Sequence, residues 1–133
     1  MLSVSPISSS SEPEFPGTNR DTTGAPDSVS RAVQRALDFI DACFAEPITL
    51  SELAAVAELS MSRFAVRFSA EMGVSPQQYV RLVRVRHAQR LLRRGMPSSI
   101  VATEVGFFDQ SHLCRHFKRV LGRTPGEWLS ANG

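Results

Sequence analysis

Apolar residues recur at helical spacing along most of this chain. Val33, Leu37, Ile40 and Phe44 fall at i, i+4, i+7 and i+11, so a helix is predicted over about residues 28–45, stopped before Pro47. Thr49 and Glu52 stand at capping-box spacing and open a short helix through Ala57, with Leu53, Val56 and Ala57 inward. A further helix is predicted from Ser60, anchored by Phe64 and Phe68. Ser75-Pro76-Gln77-Gln78 starts a long helix that reaches Arg94 and is ended by Gly95 and Pro97. After a short helix, SSIVATEV, and the tight joint Gly106-Phe107-Phe108, Asp109 caps a helix running to Leu121. Leu113, Phe117 and Val120/Leu121 form its apolar stripe, leaving Gln110, Ser111, Cys114, Arg115, Lys118 and Arg119 on the other side. This helix, turn, helix order with a polar outer face is that of a DNA recognition helix.

The pattern repeats within the chain. A shift of 49 brings Phe64 onto Leu113, Phe68 onto Phe117, Gly73 onto Gly122, Pro76 onto Pro125 and Tyr79 onto Trp128. Upstream, a shift of 48 pairs Leu53-Ala54 with Val101-Ala102 and Ala57 with Val105, so the second turn holds one extra residue. Two related helix-turn-helix units are therefore predicted, bridged by the long helix. Tyr79 and Trp128 each follow a Ser/Thr-Pro cap and are expected to plug the core of their unit.

Composition separates the first residues from the rest. Residues 1–27 are rich in Ser, Pro, Thr and Gly without apolar period, and are expected to form a disordered tail. Residues 1–30 carry one basic and four acidic side chains, whereas residues 31–133 carry fourteen basic against nine acidic, a formal +5. All but one of those fourteen are Arg, whose planar fork suits phosphate and guanine. Cys43 and Cys114 have no metal-binding spacing and fit a reducing cytoplasm. No apolar run approaches the roughly 20 residues of a membrane span, so no membrane association is expected.

The string Arg84-Val85-x-x-Ala88-x-x-Leu91-Leu92, then Val101-Ala102-x-x-Val105-Gly106-Phe107, Ser111-x-Leu113-x-Arg115-x-Phe117-Lys118 and Gly122-x-Thr124-Pro125-x-x-Trp128 resembles the DNA-binding domain of AraC/XylS-type bacterial transcription regulators. The resemblance covers about residues 29–129. It implies an all-α fold of seven helices, two helix-turn-helix subdomains (about 28–74 and 97–131) joined by a linker helix (about 76–94). Each subdomain would offer a recognition helix, 60–72 and 109–121, to successive major grooves of promoter DNA. Gln110, Ser111, Cys114 and Arg115 match the family's base-facing positions, as do Met61, Ser62, Ala65 and Val66 in the first unit. The first set departs from the polar readers of some members, so the second unit is expected to carry more of the base readout. Arg63, Arg67, His112, Lys118, Arg119, Arg84 and Arg93 are phosphate candidates. Glu58 stands where the family often has Gly, and a positive φ there would cost on the order of 1 kcal/mol.

His112 and His116 at i, i+4 beside Cys114 are a weak metal motif, and neither metal nor cofactor is expected. Ser/His/Asp sets, paired carboxylates and phosphate-binding Gly loops are missing, so an enzyme is not expected. The resemblance implies a cytoplasmic, nucleoid-associated regulator, an activator with RNA polymerase as partner. The chain has no room for a ligand-binding and dimerisation domain, so either a short stand-alone regulator or the C-terminal part of a longer one is expected, with a monomer as the default. The alternative is a protein-interaction module that keeps the fold without base-specific DNA binding.

Overall fold

The computed structural model describes residues 29–132. The tail expected over residues 1–27 lies outside the described residues. Among the described residues the order is α1 (Arg31–Cys43), α2 (Leu50–Ala57), α3 (Met61–Met72), α4 (Pro76–Arg93), α5 (Ser98–Glu104), α6 (Gln110–Leu121) and α7 (Pro125–Asn132), with no strand. None of these helices is long and apolar enough to cross a membrane.

Local capping fixes where the helices begin. The Thr49 hydroxyl accepts from the Glu52 N–H while the Glu52 carboxylate accepts from the Thr49 N–H, and Ser75 and Gln78 repeat this box at α4. α1 begins later than its apolar period suggests, because Ser30 caps it: its hydroxyl accepts from the Val33 N–H and its own N–H donates to Glu71 Oε1. At the other end of α4, Gly95 at φ +92° lets the N–H groups of Gly95 and Met96 reach back to Leu92 and Leu91.

Two cores result. The first gathers α1, α2, α3 and the start of α4 around fully buried Phe64, Phe68, Leu53 and Ile40, and the second gathers the rest of α4 with α5, α6 and α7 around Leu113, Phe117, Val101 and Val105. Each such side chain contributes roughly 1.5–3 kcal/mol by leaving water. Tyr79 meets Phe68 edge-on at 5.7 Å and Trp128 meets Phe117 edge-on at 5.7 Å, so the two aromatics plug equivalent places. Along α4 the change of core falls between Val83, in the first, and Val85, in the second.

The turns match at the level of single hydrogen bonds. In the first, Glu58 and Leu59 N–H groups donate to Ala55 and Ala54; in the second, Gly106 and Phe107 donate to Thr103 and Ala102, each partner 48 residues on. The recognition helices are then capped by Ser60 and Asp109, 49 apart, so the extra residue of the second turn is Phe108. Glu58 does adopt the left-handed conformation, φ 63° and ψ 39°, that Gly106 adopts more easily at φ 101°.

Candidate nucleic-acid interface

The recognition helices present unlike surfaces from like positions. On α3, Met61, Ser62 and Val66 are exposed, Val66 to 71%, and Ala65 is half-buried. Arg63 and Arg67 stand free beside them, and an open cleft is lined by Leu59, Ser62, Arg63, Val66 and Arg67. On α6, Gln110, Ser111 and Arg115 are exposed and Cys114 is half-buried, with Lys118 and Arg119 exposed one turn further on. All eight expected base-facing residues thus lie on the outer sides of helices whose inner sides carry Phe64 and Phe68 or Leu113 and Phe117. No acidic side chain occupies the first turn of either helix, but the α6 N-terminus already carries the Asp109 carboxylate as its cap, whereas α3 is capped by the neutral Ser60 hydroxyl.

An aromatic stack sets the start of α6. Asp109 Oδ1 accepts from the His112 N–H at 2.9 Å, and His112 Nδ1 accepts from the Phe108 N–H at 3.1 Å. A neutral His112 that accepts at Nδ1 carries its proton on Nε2, which makes that edge a donor suited to a phosphate oxygen. The His116 ring stacks on Phe107 with centroids 5.3 Å apart and an interplanar angle of 7°, and meets His112 edge-on at 4.6 Å. Burial, reinforced by His112 and by Arg81, Arg119 and Arg115, pushes the His116 pKa down to about 4. Its Nδ1 is buried without a partner, so a proton there would have nothing to donate to. At neutral pH His116 is an uncharged packing ring. The positive field of this face comes from the arginines and Lys118.

Residues 53–131 match the family profile of a helix-turn-helix domain. The chain belongs to the AraC family. An AraC-like transcription regulator of Streptomyces antibioticus is 38% identical over 113 residues, 78% of this chain and 37% of that protein. The HTH-type transcriptional activator RhaR of Escherichia coli is 31% identical over 108 residues, 80% of this chain and 38% of RhaR. The chain therefore spans less than two fifths of the length of these curated relatives. Among solved structures, the DNA-binding domain of AdpA, a global transcriptional factor in complex with a target DNA, aligns with TM-score 0.70 and 31% identity over 77% of this chain and 93% of that domain. The all-α, seven-helix architecture is thus that of the AraC-type DNA-binding domain.

Within this fold the phosphate candidates divide. Arg63, Arg67, Lys118 and Arg119 are exposed beside the recognition faces. Arg93 is exposed and holds its guanidinium over the Trp128 ring, 4.9 Å from the centroid, where it can still turn a face to solvent. Arg84 differs from these in having intramolecular partners. Its Nε donates to the Phe44 carbonyl at 2.7 Å and its Nη2 to the Glu46 carbonyl at 2.9 Å, so the Nε/Nη2 edge of this half-buried guanidinium is held by backbone carbonyls.

Arg81 was not among the expected contacts, yet its pKa is lowered by burial and then by Arg119, which places it in the basic field of α6. Its position on a different helix hid this from any local pattern. Phe108, exposed to 83%, was legible only as an unexplained change of shift from 48 to 49.

Proposed function

We propose that this domain is the DNA-reading part of a transcription regulator, with α3 and α6 entering successive major grooves on one face of promoter DNA. The observation that carries the reading is the duplication: two recognition helices on like scaffolds, both with exposed outer faces, bridged by an 18-residue helix. At 1.5 Å per residue that bridge is about 27 Å long, against about 34 Å between grooves on one face. Modest bending of the DNA would close the difference. Arg115 is suited to guanine O6 and N7 and Gln110 to adenine, with Ser111 and Cys114 alongside. Met61, Ala65 and Val66 suit thymine methyl groups, and Ser62 can accept or donate one hydrogen bond. Arg63, Arg67, Lys118, Arg119, Arg93 and the Nε2 edge of His112 meet phosphates in this reading, as does Arg81.

The finer role is that of an activator that engages RNA polymerase, acting on the nucleoid and binding an asymmetric site as a monomer. Support for activation comes from the name of RhaR as a transcriptional activator. Selection of bound duplexes from a random pool tests the whole proposal. Two blocks of specified bases, one groove repeat apart, are expected, with affinity falling steeply as salt rises. A pool with no enrichment overturns it.

One observation favours a second reading. Met61 and Val66 leave 48% and 71% of their surface exposed on α3, as a protein-docking helix would. Specified bases only under α6, with α3 protected by a protein partner, would support that role for the first unit.

A further inference from the structure

We infer that Arg84 is a positioning residue, a lock that fixes the orientation of the two helix-turn-helix units relative to each other and thereby the half-site spacing the protein accepts. The consequence for spacing rests on the DNA-reading proposal; the lock itself does not.

Three segments meet at this side chain. Arg84 sits on α4 at the change of core, between Val83 of the first and Val85 of the second. Its two donors take the carbonyls of Phe44 and Glu46, just beyond α1, where helix-terminal acceptors lack intrahelical partners and α1 has no basic residue in its own last turn. On its other side the guanidinium carbon lies 5.8 Å from the centroid of Phe107, in the turn of the second unit. A Cβ added to Gly106 would stand 2.9 Å from Arg84 Nε and 3.0 Å from Ala45 Cα and O, so linker helix, post-α1 segment and second turn are in direct contact. Phe44 reinforces the junction: it packs against both cores and stacks on His87, with ring centroids 3.9 Å apart.

Helix α4 fixes how far apart the units stand. Their orientation across the helix depends on what else joins them, and residues 44–46 carry the first unit onto the turn of the second through Arg84. Lysine could not replace it, since an ammonium lacks the planar fork that takes two carbonyls in fixed directions.

Backbone N–H residual dipolar couplings of the DNA-free protein test the lock. Both units of the wild type should fit one alignment tensor. In Arg84→Ala each unit should still fit internally, but with two different tensors. Loss of stability alone would leave the tensor shared, so a shared tensor in the folded variant overturns the lock. Arg84→Gln keeps one donor and much of the volume, and serves as the same test if Arg84→Ala does not fold.

On selected DNA, Arg84→Ala should bind the native spacing about tenfold more weakly, the scale of one charge-assisted hydrogen bond. It should also lose less than the wild type when one base pair is inserted between the blocks. An unchanged spacing preference overturns the inference for recognition. Failure of the wild type to select any DNA ends the DNA-reading proposal and leaves the tensor measurement as the test of the lock.

Discussion

Helices α3 and α6 are the same element twice, and the contrast between them separates what the scaffold requires from what the surface is free to choose. Inward, Phe64 and Phe68 correspond to Leu113 and Phe117, all fully buried. Outward, Met61, Ser62, Ala65 and Val66 correspond to Gln110, Ser111, Cys114 and Arg115. One face can donate to base edges through a guanidinium and an amide. The other offers methyl groups and one hydroxyl. Support differs too, since Arg67 is an exposed cation where its counterpart His116 is a half-buried ring stacked on Phe107. A duplicated fold thus kept its core and gave its two halves different chemical vocabularies.

The largest expected effects test whether the scaffolds are equivalent. Phe68→Ala and Phe117→Ala should each cost about 3–5 kcal/mol in urea unfolding, because each empties a fully buried ring site. A large loss for only one of them would break the equivalence.

Next comes the asymmetry of readout. Arg115→Ala should weaken binding at the selected site by about 1–3 kcal/mol and relax base choice there, while Val66→Ala should cost about 1 kcal/mol or less. Equal losses in a gel-shift titration would collapse the difference between the halves. If Arg115→Ala weakens random DNA as much as the selected site, Arg115 holds phosphate only.

The turns should respond in opposite directions. Glu58→Gly removes a left-handed side chain and should raise stability by up to about 1 kcal/mol. Its ion pair with Arg35 at 3.9 Å is too exposed to offset much of that gain. Gly106→Ala should lower stability by about 1–3 kcal/mol, because φ is +101° and a Cβ would press on Arg84 and Ala45. A destabilising Glu58→Gly in thermal unfolding would show that the first turn stores no strain.

The smallest effect distinguishes the halves by acid. His116 and His87 both have folded pKa values lowered to about 4, mainly by burial, from an ordinary 6.5. The unfolded chain therefore takes up these protons first as pH falls, so their contribution is complete above about 6.5 and is lost through about 4. His116 stacks on Phe107 of the second core, where the first unit has Arg67, whereas His87 stacks on Phe44 at the junction of the two cores. Amide exchange near pH 5 should thus show the second unit loosening before the first, and His116→Gln should reduce that difference. Simultaneous loosening would remove acid from the list of differences.

Much of the fold could be read locally. The capping boxes at Thr49/Glu52 and Ser75/Gln78 form as expected because each needs only residues three apart. The outward placement of Gln110, Ser111 and Arg115 follows from the apolar period of the same helix. The start of α1 was set three residues early, since its apolar residues give a face but not an end, and the Ser30 cap settles the end. The carbonyl partners of Arg84 were not legible because, on a helix with four other arginines, nothing local separates an arginine that meets carbonyls forty residues away from one that faces solvent.

The sequence by itself determined the helices, their caps, the duplication and the chemistry of each outer face, because these depend on neighbours within one or two turns. Tertiary structure alone decided how Arg84, Phe44, His87 and Gly106 join the two halves, and that Arg81 shares the field of Arg119. Those contacts link segments distant in sequence, where no period or motif constrains the partner and only packing brings the groups within reach.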